Sequence, residues 1–148
     1  MAFQNVDIAV ERDRQRLAGR RACAERLLHL AEHLPPDERA LVEAVYRDGR
    51  STAELARLAG VPVRHFQRKL NKIMGRVGDP LFLFTVTRLD TLPPEIRPVA
   101  RRAVLHGRTQ RDTAHATGQS LHQVRKALER LRGMCDAATS LPHRPSVQ

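Results

Sequence analysis

Apolar side chains recur every three or four positions along most of the chain, which is the periodicity of amphipathic helices. In residues 63–77 these positions are Phe66, Leu70, Ile73 and Val77, spaced by four, three and four residues. A helix with this spacing buries one stripe and turns its polar positions to solvent. The pattern predicts an all-α protein.

Capping and helix-breaking residues divide residues 34–77 into three predicted helices. Pro35-Pro36 stands ahead of two acidic residues, as at many helix starts, and Asp48-Gly49 ends that helix. Ser51-Thr52-Ala53-Glu54 has the form of a capping box, and Gly60 suits a left-handed helix end. A short helix, a glycine turn and a longer helix are typical of a helix-turn-helix unit.

The same pattern occurs a second time. A shift of 58 residues aligns residues 34–77 with residues 92–135 without a gap, and ten of the 44 positions are identical. The identical pairs are Leu34/Leu92, Pro35/Pro93, Pro36/Pro94, Arg39/Arg97, Gly49/Gly107, Arg50/Arg108, Ala56/Ala114, Gly60/Gly118, Leu70/Leu128 and Gly75/Gly133. These are mainly turn, cap and core positions, so we interpret the pattern as a tandem duplication.

The segments outside the two copies receive simpler predictions. Residues 1–33 form an N-terminal helix, which begins near residue 6. Residues 78–91 form a linker that is helical over 80–90, because Asp79-Pro80 reads as an N-cap followed by a proline in the first turn. Residues 136–148 form a disordered tail. The predicted chain therefore consists of a helix, two helix-turn-helix units (34–77 and 92–135) joined by this linker, and the tail.

The charge of the chain is concentrated in the two copies. The net charge is +10, and residues 34–77 carry nine basic against five acidic side chains, while residues 92–135 carry nine against three. A basic chain usually binds a polyanion. No apolar run approaches the ~20 residues that a membrane span needs, and the beginning of the chain lacks a secretory signal. We expect a cytoplasmic protein whose partner is double-stranded DNA and not a membrane.

Catalytic, metal and cofactor sites are not predicted. Cys23 and Cys135 lie too far apart for a short metal clip. His29 and His33 are one helical turn apart, but no second close pair completes a tetrahedral zinc site. No phosphate-binding glycine loop, nucleophile elbow or catalytic carboxylate pair is present, so we do not expect an enzyme.

Residues that could contact DNA lie opposite the apolar stripes. At ~100° per residue, Arg64, Arg68 and Asn71 lie opposite Phe66, because residues share a helix face only at helical spacing. The flanking candidates are Gln67 and Lys72, and those of the second copy are His122, Gln123, Arg125, Lys126 and Arg130. Arginine pairs with guanine, and glutamine or asparagine with adenine, in the major groove. Arg50 and Arg108 precede helix starts, where phosphate contacts are common. The alternative for each side chain is a solvated residue without a ligand.

The first copy resembles region 4 of bacterial sigma factors and is similar to the helix-turn-helix of LuxR-type regulators. The resemblance lies in the order of its motifs, which is Leu-Pro-Pro, Arg, Gly-Arg-Ser, Glu-Leu-Ala and Gly60. Residues 118–130 are similar to the region 4 recognition helix. The resemblance implies a helix that reads promoter DNA and, in sigma factors, contact with RNA polymerase. It covers about 44 residues in each copy. The chain has no Trp, one Tyr and four Phe, too few aromatic rings for strand melting, so a complete sigma factor is not expected.

Two functions remain open from the sequence. The first is a transcription regulator that reads duplex DNA with two non-identical recognition helices. The second is a region 4-like adaptor that binds RNA polymerase or another regulator and leaves its basic faces solvated. No recognisable motif indicates the operator, the sign of regulation, an effector or the oligomeric state.

Overall fold

Every regular element is helical in the computed structural model, which describes residues 2–141. The elements are α1 (Ala2–Ala31), α2 (Pro36–Tyr46), α3 (Thr52–Ala59), α4 (Val63–Val77), α5 (Pro80–Arg88), a 3₁₀ turn (Leu89–Thr91), α6 (Arg97–Val99, continuing as a π-helix over Ala100–Leu105), α7 (Gln110–Thr117) and α8 (Leu121–Ser140). The predicted all-α class is confirmed, and so is a helix in the linker. There the Asp79 carboxylate accepts a hydrogen bond from the Leu81 N–H at 2.9 Å, which is the predicted cap.

The chain divides into two compact units, with the first ending at Leu70 and the second beginning at Asn71. In the first unit α1 packs on α2. The buried residues of α1 are Leu27, Leu30 and Ala31, all at its C-terminal end, whereas residues 10–22 are exposed. Burial of a leucine side chain stabilises a fold by about 1.5–3 kcal/mol. The last turns of α1 are therefore part of the first unit's core.

The second unit has the larger core. The predicted stripe of α8 is buried along its whole length, at Val124, Leu128, Leu131 and Cys135. Helices α5 to α7 cover it. These helices and the segment that precedes α6 contribute fully buried side chains that include Phe82, Leu92, Ile96, Val99 and Leu105.

Helix α4 crosses the division between the units. Its stripe is uneven: Ile73 and Val77 are buried, while Phe66 and Leu70 are half-buried. The units therefore divide the chain seven residues before the predicted end of the first copy at residue 77. Ile73 and Val77 belong to the core of the second unit, a long-range packing that local periodicity does not encode.

Glycine turns join the helices of each helix-turn-helix. Gly60 follows α3 with φ +66°, and Gly118 follows α7 with φ +68°. Beyond these glycines the Val61 N–H donates to the Ala56 carbonyl at 3.1 Å, and the Gln119 N–H donates to the Ala114 carbonyl at 3.2 Å. This is the six-to-one bond of a Schellman motif, which ends a helix in the left-handed conformation.

Other local contacts recur at the same 58-residue interval. The Arg50 N–H donates to the Ala44 carbonyl and the Arg108 N–H to the Arg102 carbonyl, both at 3.0 Å. These bonds surround Gly49 and Gly107, which have φ values of +67° and +63°. The helix starts also correspond. Ser51 Oγ accepts the Glu54 N–H, and Thr109 Oγ1 accepts the Asp112 N–H, both at 3.1 Å.

The first helix of the second copy is irregular. Its α-helical structure begins at Arg97 and changes to a π-helix after Val99. Pro98 stands where the first copy has Ala40, and without an N–H it cannot donate to the carbonyl of Pro94. The Arg97 guanidinium instead holds this segment by donating to the carbonyls of Leu89, Asp90 and Leu92 at 3.0–3.1 Å.

The end of the second copy differs from its prediction. Helix α8 continues to Ser140, so the prediction of a disordered tail from residue 136 is wrong for its first five residues. No glycine or proline follows Cys135 before Pro142. The Thr139 hydroxyl donates to the Cys135 carbonyl and that of Ser140 to the Asp136 carbonyl. The remainder of the predicted tail, residues 142–148, lies outside the described residues.

Substitution of two glycines in the second unit separates turn strain from helix propensity. Gly118→Ala places a Cβ on a left-handed residue that has no atom within 4 Å to clash with it. We therefore expect the backbone strain alone, about 1–2 kcal/mol of destabilisation. Gly133→Ala, inside α8 and equally uncrowded, should stabilise the same unit by about 0.5–1 kcal/mol. Urea unfolding measures both. Equal effects of the two substitutions would contradict the prediction.

Candidate nucleic-acid interface

The candidate residues of α4 all lie at the surface. Arg64, Gln67, Arg68, Asn71 and Lys72 are exposed. Arg64 and Arg68 are one turn apart on the same face of the helix, opposite the half-buried Phe66, as helical spacing requires. Their guanidinium groups make no hydrogen bond or ion pair with the described residues. This face therefore presents two cations and an amide at the spacing that major-groove reading uses.

The candidate residues of α8 are also exposed, but three of them have partners. His122, Gln123, Arg125, Lys126 and Arg130 are the exposed set. Arg125 Nε donates to Gln110 Oε1 at 3.3 Å, and Arg130 Nη1 is 3.1 Å from Glu95 Oε1. Exposed contacts of this kind contribute ~0–1 kcal/mol, so a stronger ligand can replace them.

Gln123 has a structural role at the start of α8. Its Oε1 accepts the Ser120 N–H at 2.8 Å, while the Gln123 N–H donates to Ser120 Oγ at 3.1 Å. These reciprocal bonds form a capping box. The Ser-Leu-His-Gln order of the sequence contains the signal for this box, which the sequence prediction did not use at this position.

Arg50 and Arg108 are placed in the same way in the two copies. Both are exposed, and each lies between a left-handed glycine and the hydroxyl residue that caps the next helix. The neighbouring caps are Ser51 and Thr109. A helix N-terminus attracts anions through its free N–H groups and its dipole. The position is suited to a phosphate contact.

Ion pairs connect the first helical segment of each copy to its long helix. In the first unit Lys69 Nζ lies 2.8 Å from Asp37 Oδ2, and this hydrogen bond lowers the pKa of the Asp37 carboxyl below its ordinary value. In the second unit Glu95, at the position equivalent to Asp37, pairs with Arg130. The basic partners are not equivalent: Lys69 aligns with Ala127, and Arg130 aligns with Lys72.

A groove lies on the candidate face of α8. It has a volume of about 260 Å³ and is lined by Gln123, Lys126 and Arg130 of that helix, with Glu95, Ile96 and Gln119 beside them. The Gln119 side-chain amide donates to the Glu95 carbonyl at 3.2 Å. Sequence reasoning did not find Glu95 or Gln119 here, because their approach to α8 depends on the tertiary fold.

Two apolar side chains are exposed beside the first glycine turn. Leu58, near the end of α3, is 67% exposed, and Val63, the first residue of α4, is 36% exposed. Leu58 lies outside the core pattern of α3, where Ala56 is buried. That mismatch is a sequence signal, which the assignment of candidate residues did not use. Exposed apolar side chains in a cluster are typical of contact surfaces.

The Asp37–Lys69 pair predicts a small stability change with a defined pH window. A depressed folded-state pKa stabilises the fold above the unfolded value of 3.8, and this stability is lost as the pH falls through the folded pKa. Asp37→Asn should therefore destabilise the first unit by a few tenths of a kcal/mol at pH 7, since the carboxylate is 64% exposed, and by less below pH ~3. Urea unfolding at both pH values tests this. A similar loss in the Asp48→Asn control, or a larger loss at low pH, would contradict it.

Residues 24–76 match the family model of sigma-70, region 4. Region 4 of sigma-70 is a non-enzymatic, DNA-binding helix-turn-helix domain that also binds RNA polymerase. The match runs from the C-terminal part of α1 into the last turn of α4 and ends before the second copy. Neither a curated protein nor a solved structure matches the chain. Within residues 2–141 no helix is both long and apolar enough to cross a membrane. Residues 24–76 are thus similar to sigma-70 region 4, and this similarity supports a DNA-binding regulator.

Proposed function

We propose that this protein is a sequence-specific regulator of transcription that binds double-stranded DNA through two non-identical recognition helices, α4 and α8. The observation that carries the proposal is the arrangement of polar and apolar faces on these helices. Each follows a left-handed glycine turn, and all twelve candidate residues are exposed. The similarity of residues 24–76 to sigma-70 region 4 supports the same function for the first helix-turn-helix.

The second helix enters the proposal through the 58-residue repeat. In both copies equivalent residues make the same backbone bonds, from Arg39 to Pro35 and from Arg97 to Pro93, at 2.9 and 3.0 Å. The helices of the two helix-turn-helix motifs also begin at equivalent residues, since α3 and α7, and likewise α4 and α8, start 58 residues apart. These correspondences support a tandem duplication in which both copies retained the DNA-reading geometry.

The two helices offer different chemistry to a base pair. Arg64 and Arg68 supply bidentate donors that match guanine O6 and N7. At the aligned positions α8 has His122 and Lys126, and Glu129 replaces Asn71. The glutamate carboxylate repels phosphate but accepts a hydrogen bond from cytosine N4. The expected binding site is therefore asymmetric, with a guanine-rich part that faces α4.

Selection from a pool of random duplexes should recover an asymmetric sequence. Many phosphate contacts also make binding dependent on salt, because each neutralised phosphate releases counterions. With six or more such contacts the affinity should fall by about 10³-fold or more between 50 and 200 mM salt. Fluorescence anisotropy on the selected duplex measures this. A perfect palindrome, no enriched sequence or a flat salt profile would each contradict the proposal.

Substitution of one residue in each helix tests their separate roles. Arg68→Ala should weaken binding to the selected duplex by about 1–3 kcal/mol and relax the preference at one part of the site, while Lys126→Ala should act on the other part. Arg47→Ala, directly after α2, and Arg88→Ala, at the end of α5, remove the same charge from exposed positions outside the candidate face. They should change the affinity little. Equal losses in all four variants would indicate a general charge effect and contradict base reading.

A second candidate function is a protein-binding adaptor, favoured by the exposed apolar side chains of Leu58 and Val63. Sigma-70 region 4 domains bind RNA polymerase as well as DNA. In an adaptor, Leu58→Gln would abolish polymerase binding, and Arg68→Ala with Lys126→Ala would leave it intact. Pull-down with purified RNA polymerase, combined with the duplex titration, distinguishes the two functions.

A further inference from the structure

A cavity in the second unit combines an apolar floor with basic walls. Its volume is about 320 Å³, within the range of small-molecule sites. Leu81 and Ala103, both half-buried, form the floor with Val104, whereas Phe82 is fully buried and offers no surface to a ligand. Arginines 76, 108 and 132 line the walls from three different segments. An apolar base with a few convergent polar groups is the usual form of a small-ligand site.

The charge of the cavity walls is strongly positive. Neither Arg108 nor Arg132 makes a side-chain hydrogen bond or ion pair with residues 2–141, and both are exposed. Asp79 is the carboxylate in the lining, and its Oδ1 already accepts the Leu81 N–H at the cap of α5. Arg108 and Arg132 therefore bring two guanidinium groups without a hydrogen bond or ion pair in residues 2–141 to a lining that contains one carboxylate.

The neighbouring His106 is affected by the same charges. Its imidazole is half-buried, and its pKa is lowered by desolvation and then by the cations of Arg108, Arg102, Arg101 and Arg76. Nearby cations disfavour the imidazolium form. Arg108 and Arg76 also line the cavity, so His106 lies close to the same cations.

We infer that this cavity binds a small organic phosphate monoester, with the phosphate on the arginine walls and the organic group on the apolar floor. The planar guanidinium matches phosphate oxygens in a bidentate geometry. The apolar floor beside the arginines suits a ligand that carries an organic group next to its phosphate. This inference does not depend on the proposed DNA binding.

Phenyl phosphate and inorganic phosphate are suitable probes for the full chain. Isothermal titration at constant ionic strength should give saturable binding of both, with phenyl phosphate about tenfold tighter because its ring is removed from water. Phenol, which lacks the phosphate, should bind weakly. An NMR titration of His106 should show a higher imidazole pKa in the presence of phenyl phosphate, because the bound dianion offsets the arginine charges.

Substitution in the wall provides the matched comparison. Arg132→Gln should weaken phenyl phosphate binding by tenfold or more, because it removes a charged hydrogen bond, and Arg132→Lys should retain part of the affinity. Arg111→Gln removes the same charge from an exposed position of α7 that does not line the cavity, and should leave binding unchanged. Circular dichroism establishes that each variant is folded.

Three results would overturn the inference. Equal weakening by Arg111→Gln and Arg132→Gln would show a diffuse charge effect. Equal affinity for inorganic and phenyl phosphate would show that the apolar floor does not contribute to binding. If neither probe binds and Arg132→Gln instead weakens duplex binding, the wall arginines serve the DNA backbone and not a small ligand.

Discussion

The left-handed turns at Gly60 and Gly118 determine which side of each long helix is exposed to solvent. The bond that closes each turn, from the residue after the glycine to the alanine carbonyl, ends the shorter helix. The next helix then begins three residues beyond the glycine in both copies. Once its start is fixed, the helical period determines every later position. The apolar stripe of α8 faces the core, and the basic side chains are left at the surface.

The two copies share these turns, but different residues stabilise their cores. The core of the first unit depends on the last turns of α1, where Leu27, Leu30 and Ala31 are buried. In the second unit α5 and its capped start supply equivalent cover, with Phe82 fully buried. In the second unit, desolvation and then the nearby arginine cations lower the pKa of His106. The two copies thus differ in charge and packing more than in their turns.

Local signals in the sequence were sufficient for most of the secondary structure. The capping residues Ser51 and Asp79, the turn glycines and the stripe of α8 act within a few residues of their partners. The exposure of the candidate residues follows from the same periodicity, although their contact with DNA stays a prediction. Three features required the tertiary structure. They are the division of the chain within α4, the hydrogen bonds that Arg97 makes to distant carbonyls, and the cavity beside Arg132.

Pro98 distinguishes the second copy from the first, which has Ala40 at this position. Pro98 has no backbone N–H, and the helix α6 that contains it is interrupted. The alignment of the two copies predicts a helix at this position in both, and it does not indicate that the second helix is irregular.

The capping box at the start of α8 has a consequence for base recognition in the proposed complex. Because Gln123 Oε1 accepts the Ser120 N–H, the NH₂ group of this amide is the part that is free to contact a base. In the major groove guanine, adenine and thymine present acceptors at O6, N7 and O4, whereas cytosine presents only a donor at N4. Gln123 then acts as a hydrogen-bond donor, suited to guanine, adenine or thymine and not to cytosine. The bond that begins the helix also limits the bases that its first turn can accept.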